Sequence, residues 1–173
     1  MERNLNRLNW QNVKKQVEAG CHRVILPVGT MEAHGAIPLG TDNIIPETMA
    51  ERIAEKCEAL IAPTVNYGVT KSLIKYPGSL TVSSETFTVY MYEIMSSLVK
   101  SGFTEIIVLN GHGGHIREMK EAAYKAHFED DAKVAVIEWW EMCHDLVEKH
   151  YQTSGGHAAV GKEDCYLMEG FRS

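Results

Sequence analysis

From Leu26 to Asp42 the chain reads Leu26-Pro27-Val28-Gly29-Thr30-Met31-Glu32-Ala33-His34-Gly35-Ala36-Ile37-Pro38-Leu39-Gly40-Thr41-Asp42, and no regular element runs through it. The apolar run Val24-Ile25-Leu26 enters as a buried strand would, and then Gly29, Gly35, Pro38 and Gly40 forbid a helix or a long strand. Glu32, His34 and Asp42 are therefore expected on an irregular loop just past a strand's carboxyl end, where open α/β sheets place their ligand sites. The pattern recurs once: Glu105-Ile106-Ile107-Val108-Leu109 opens directly into Asn110-Gly111-His112-Gly113-Gly114-His115.

Around these two stretches the periodicity predicts alternating helices and strands. Residues 5–20 carry Leu8, Trp10, Val13 and Val17 at helical spacing, with Gly20 as a C-terminal stop. Residues 22–28 read as a first strand. Residues 44–57 read as a helix with Ile45, Met49, Ile53 and Ala54 on one stripe and Pro46 in its first turn. Residues 59–65 read as a second strand, followed by a Gly-, Pro-, Ser- and Thr-rich loop to Ser84 that is too long for a mere connector. Ser84 caps a third helix reaching about Lys100, with Phe87, Tyr90, Met91, Ile94 and Leu98 on one face. Residues 105–109 form the third strand, 116–128 a helix, 133–137 a fourth strand, 139–150 a helix, and 163–171 a last short helix. Short β-branched strands alternating with helices imply right-handed crossovers, hence a three-layer α/β/α fold around a mainly parallel sheet. At 173 residues and 45% hydrophobic content, residues 1–173 are expected to form one domain.

The formal charge of −6 and the scattered Lys and Arg argue against nucleic-acid or anionic-membrane partners, leaving small molecules as the expected ligands. No apolar run approaches the roughly 20 residues of a membrane helix, and the polar start lacks the apolar core of a signal peptide, so a cytoplasmic location is expected. Cys21, Cys57, Cys143 and Cys165 lie far apart without a CxxC pair, as reduced buried thiols would.

In an extended segment Glu32 and His34 leave the same side of the backbone, and Asp42 is near enough to fold back onto them. Two carboxylates and an imidazole suit Zn²⁺, Mn²⁺ or Fe²⁺, and two divalent ions about 3.5 Å apart would share a deprotonated water and polarise a carbonyl. The glycines beside His112 allow close approach of a ligand, and P-loop spacing is not met, so His112 reads as a further metal ligand. For His115 three roles stay open: ligand, substrate contact or polar loop residue. His157, beside Gly155-Gly156, could protonate a leaving nitrogen, and Glu163 could complete a coordination sphere. His22, His127, His144 and His150 sit in ordinary strand or helix patterns and read as structural, as do Trp139 and Trp140.

With these residues in view, the chain resembles the creatininase (creatinine amidohydrolase) family over nearly its whole length. The resemblance rests on Pro27 to Gly35 with Pro38 to Asp42, on Tyr76-Pro77-Gly78-Ser79-Leu80 with Ser84-Glu85-Thr86-Phe87, and on Asn110 to His115, which are similar to the family's PVGSxEqHG, FPGT and NGHGGN segments. It implies a dinuclear metal centre, Zn²⁺ first with Mn²⁺ or Fe²⁺ as alternatives, and hydrolysis of a C–N bond in a cyclic or linear amide. It also implies a homo-oligomer, often a hexamer. Carried over, Glu32 and His112 would hold one metal, His34 the other, and Asp42 would bridge. Three positions depart from the pattern: Gly114 stands where creatininases carry a Glu, His115 where they carry an Asn, and Ser72-Leu73 where they carry Glu-His. The closing motif is matched only loosely by residues 157–164, with one extra residue before Glu163. Family members are also longer, so the chain is expected to be a short member or to have been cut. The expected function is a metal-dependent amidohydrolase working through a metal-bound hydroxide. The alternatives are a deformylase of a pyrimidine or pterin-like metabolite, peptide trimming, and a metal- or ligand-binding protein that has lost catalysis.

Overall fold

The computed structural model describes residues 1–143 together with Asp145 and Lys149. Four parallel strands, β1 (Arg23–Val28), β2 (Leu60–Ile61), β3 (Glu105–Asn110) and β4 (Lys133–Glu138), form a sheet in the order β2-β1-β3-β4. Helices α1 (Trp10–Glu18), α2 (Thr41–Ile53), α3 (Ser84–Lys100), α4 (Ile116–Asp130) and α5 (Trp139–Met142) precede and connect them. From β1 the chain turns outward to β2, and after α3 it returns on the other side as β3. The carboxyl ends of β1 and β3 are therefore neighbours from which the crossovers diverge, the switch point at which such sheets bind ligands.

The alternating side chains of β1 explain the layers. Val24, Leu26 and Val28 point into a core with Phe87, Met91 and Met95 of α3 and Met119, Ala122 and Ala126 of α4, against which Val13 and Val17 of α1 also pack. Ile25 faces the opposite side with Ala50 and Ala54 of the α2 segment, Ile61 and Leu109. Both sheet faces are thus covered, which is why β1 reads as a continuous apolar run and not an alternating one. Each large side chain removed from water here contributes about 1.5–3 kcal/mol. Met91 lies in the larger core and is fully buried, so its truncation to Ala would cost about 2–5 kcal/mol.

The three-layer parallel architecture expected from the pattern is what forms, with three local differences. Helix α1 begins at Trp10, behind the Asn9 cap, and Trp10 itself is exposed rather than part of the packed stripe. Ser83, whose side chain accepts from the Thr86 amide, caps α3 in place of Ser84; Tyr90 is exposed, and Met95 takes the buried position. Strand β2 is only two residues long, because Pro63 lacks the amide a ladder needs; Val65 rejoins the sheet through a single bridge to Val28. The predicted helix at 163–171, residues 144, 146–148 and 150 of the one at 139–150, and Cys165 lie outside the described residues. Cys21, Cys57 and Cys143 are free thiols, half-buried rather than fully buried.

Candidate metal centre

The site forms where the loops after β1 and β3 meet the start of α2. Asp42 is not on the loop, as its sequence context suggested, but in the first turn of α2, which begins at Thr41. A carboxylate there is favoured by the helix dipole. Glycine at positions 29 and 111 lets that turn sink between the two strand ends, since a Cβ on either residue would run into the Asp42 carbonyl. Pro46, four residues on, is inside the helix and not at its start, and it has no amide to offer that same carbonyl. By sequence pattern Gly29 reads as a break in regular structure and Gly111 as room for a ligand; in the fold, both serve the approach of a helix.

Around Asp42 the side chains are arranged in two halves. His34 Nε2 lies 3.0 Å from Asp42 Oδ1, and His112 Nδ1 lies 2.8 Å from Asp42 Oδ2. Glu32 Oε2 stands 3.6 Å from the same His112 nitrogen. All four residues are 6–7% exposed, so these are interior charges. One ligand atom from each of Glu32, His34 and Asp42 lies within 4.8 Å of the others.

The second nitrogen of each imidazole fixes its chemistry. His34 Nδ1 is 2.8 Å from the Glu32 carbonyl, and His112 Nε2 is 3.1 Å from the Val69 carbonyl. Carbonyls only accept, so both of these nitrogens carry hydrogen. In the neutral rings the lone pairs therefore sit on His34 Nε2 and His112 Nδ1, the atoms aimed at Asp42. This is how metal-binding histidines are prepared, with the outer N–H anchored and the inner nitrogen free to coordinate. Without a cation, the Asp42 carboxylate draws protons onto those atoms. Burial by itself would lower the His34 and His112 pKa values, but hydrogen bonding and charge attraction from Asp42 raise both above the ordinary imidazole value. Burial would raise the Asp42 carboxyl, but hydrogen bonds from His112 and His34 reverse that and hold it low. Burial dominates at Glu32, whose carboxyl is raised. Two buried carboxylates beside two imidazoles fit divalent cations: the donor set is hard, and its nitrogens are correctly presented.

The long loop at residues 66–83 belongs to the site. Beyond the Val69 carbonyl it supplies Thr70, whose hydroxyl lies 3.3 Å from that of Thr30, and Ser79, whose hydroxyl accepts from the Ala33 amide. Nothing in the sequence marked Thr30, Thr70 or the Val69 carbonyl as site groups, because backbone acceptors and hydroxyls carry no pattern. Of the departures noted above, Gly114 is tied to this geometry: a Cβ there would meet His112 Nε2 and the Val69 carbonyl. Leu73 is buried and packs as a hydrophobe.

His115, left open by its sequence context, is fully buried and not at the metal-facing centre. Its ring stacks on Phe87 at 4.4 Å, and burial, then the neighbouring His112, hold its pKa down to about 3. His22 and His127 each hydrogen-bond a backbone carbonyl and are structural, as expected. Trp139 packs in the smaller core. His157, Glu163 and the remaining histidines, His144 and His150, lie outside the described residues.

Comparison with known proteins gives relatives in both sequence and fold. Creatinine amidohydrolase from Pseudomonas putida is 28% identical over 156 residues, covering 80% of this chain and 58% of that protein. A 3-dehydro-scyllo-inosose hydrolase from Thermotoga maritima is 36% identical over 95 residues, covering 54% of this chain and 30% of that protein. The chain therefore spans less than two thirds of the length of either relative. In fold it matches a zinc–zinc form of a mutant creatininase with a TM-score of 0.84 at 23% identity, over 97% of this chain and 72% of that one. The family model described as creatinine amidohydrolase matches residues 6–162, and the chain belongs to the creatininase family.

Proposed function

We propose that the protein is a metal-dependent hydrolase of small molecules that acts on a C–N bond of a cyclic or linear amide. One observation carries this reading: two anchored imidazoles present their free nitrogens to opposite oxygens of one buried carboxylate. Asp42 would bridge two divalent cations, His34 holding one through Nε2, and His112 through Nδ1 with Glu32 the other. Zinc is the first expectation, in keeping with the zinc–zinc creatininase of the same fold, with manganese or iron as alternatives. When bound, such a pair activates a water and polarises the scissile carbonyl.

The chain's own residues do the rest. Burial of Glu32, His34, Asp42 and His112 keeps the local dielectric low, which strengthens every charge interaction a substrate carbonyl would meet. The loop at residues 66–83 would hold the substrate, since it already touches His112 through Val69 and the segment between Glu32 and His34 through Ser79. His157 would protonate the departing nitrogen, and Glu163 would complete the coordination sphere; both are proposed from the sequence alone. A cytoplasmic homo-oligomer completes the proposal, with light scattering as its test.

The test is metal analysis beside a hydrolase screen across cyclic amides, formamides and short peptides. We expect two zinc ions per chain and turnover that Glu32→Gln and His112→Ala abolish. Hydrolysis that survives either substitution in metal-loaded protein would overturn the mechanism. Gly114 favours a second reading, a metal-binding protein without turnover, because that position can offer no ligand. Tight metal binding with no product from any substrate would establish it.

A further inference from the structure

We infer that His115 is a positioning residue for His112, holding that ligand's backbone through Asn110 and supporting the carbonyl that fixes its ring. The inference rests on the proposed metal centre.

Asn110 is the last residue of β3 and is fully buried. Its amide nitrogen donates to the His112 carbonyl at 2.9 Å, and its Oδ1 accepts from the His112 amide at 3.0 Å. One side chain thus grips both backbone polar groups of the ligand residue. The grip works only with the amide oxygen turned toward the His112 N–H. The His112 backbone selects that orientation and His115 reinforces it: its Nε2 lies 3.0 Å from the same Oδ1 and, facing an oxygen that only accepts, must donate. Two donors on one oxygen leave the flipped amide with two N–H groups facing N–H groups, which in a buried site costs the full desolvation of each.

The His115 ring also touches the second support of His112. It lies edge-on to the His112 ring at 4.9 Å and flat on Phe87. Its Nδ1 abuts Gly68 so closely that a Cβ there would collide with it. Gly68 precedes Val69, whose carbonyl anchors His112 Nε2. The Nδ1 atom itself has no hydrogen-bond partner among the described residues. Packing alone would be served as well by a phenyl ring, which would leave no orphaned acceptor. What a phenyl ring cannot supply is the Nε2–H that orients Asn110.

Zinc affinity of the full chain, measured by competition with a chromophoric chelator, tests this together with the visible spectrum of the cobalt-loaded protein. In His115→Phe we expect zinc affinity to fall about 10- to 100-fold, as losses of such outer supports do. The cobalt bands should shift, while the melting temperature of the metal-free protein is retained. His115→Gln, which restores a donor, should recover affinity to within about 3-fold of the parent, under 0.7 kcal/mol by the tenfold-per-1.4 kcal/mol rule. Parent-like affinity and spectrum in His115→Phe would overturn the inference, as would equal losses in both variants, which would assign the effect to ring packing. If His115→Phe does not fold, His115→Met, which likewise has no N–H to give Asn110, replaces it with the same expected loss, and parent-like affinity there would equally overturn the inference. Failure of the parent to bind zinc or cobalt would instead overturn the metal centre itself, and this inference with it.

Discussion

The two halves of the site are built differently. The His34 ring is held by its own neighbourhood, its N–H bonding the Glu32 carbonyl two residues back, although the loop around it is tied both locally, by the Glu32 amide to Leu39, and at long range, by the Ala33 amide to Ser79. The His112 ring is held from a distance, by Val69 on a loop 43 residues away, while its backbone is held locally by Asn110, which His115 in turn bonds. A local tether survives when distant parts of the fold loosen, whereas a long-range one reports on the whole assembly of β3, α3 and the loop at residues 66–83. Asp42 joins the halves.

The largest effect should come from breaking that join. Asp42→Asn removes the charge both imidazoles face, and zinc affinity should drop by more than about 100-fold for both ions, beyond the range for lost outer-shell partners; equilibrium dialysis with metal analysis measures it. Next in size is Gly111→Ala, whose Cβ would push the α2 turn out of its seat. Overpacking of this kind costs about 1–3 kcal/mol, and since each kcal/mol shifts the midpoint by about 2–4 °C at this chain length, a thermal melt should show a clear fall.

A pH series then separates His115 from the two histidines that face Asp42 in metal-free protein. His115 stays neutral down to about 3 in the fold, while the unfolded chain takes its proton near 6.5. Its contribution to stability is therefore complete above 6.5 and is lost as pH falls toward 3, at up to about 1.4 kcal/mol per pH unit. His34 and His112, with raised values, act in the opposite sense: their contribution is complete below 6.5 and is lost as pH rises through their folded values. Denaturant melts should show His115→Phe with a flatter acid limb than the parent and an unchanged limb above pH 6.5. The smallest effect is expected at Lys71, an exposed side chain 3.6 Å from Glu118, which Arg117 also contacts. Lys71→Ala should cost less than about 1 kcal/mol and leave zinc affinity unchanged within titration error.

Much of this was legible in the sequence, for identifiable reasons. Strands β1 and β3 are runs of buried apolar residues closed by glycine, so their ends, and the ligands just past them, could be placed from pattern alone. Helix α2 could not be bounded that way, because Gly40 read as loop punctuation and Pro46 as a first-turn residue, while the fold uses Gly40 at the helix start and holds Pro46 further inside. The same blindness hid the role of Gly29 and Gly111, whose small size matters only against a turn that tertiary structure brings to them. For His115, the sequence shows a histidine in a Gly-rich loop. Its burial depends on Phe87, 28 positions earlier, and on Gly68, 47 positions earlier, and such distances leave no local trace.

The bridge at Asp42 is tested most directly by a crystal structure of the zinc-loaded protein with anomalous scattering recorded at the zinc edge. Two peaks are expected, one between His34 Nε2 and Asp42 Oδ1, the other among His112 Nδ1, Asp42 Oδ2 and Glu32. A single peak away from Asp42, or coordination through His34 Nδ1 or His112 Nε2, would contradict it.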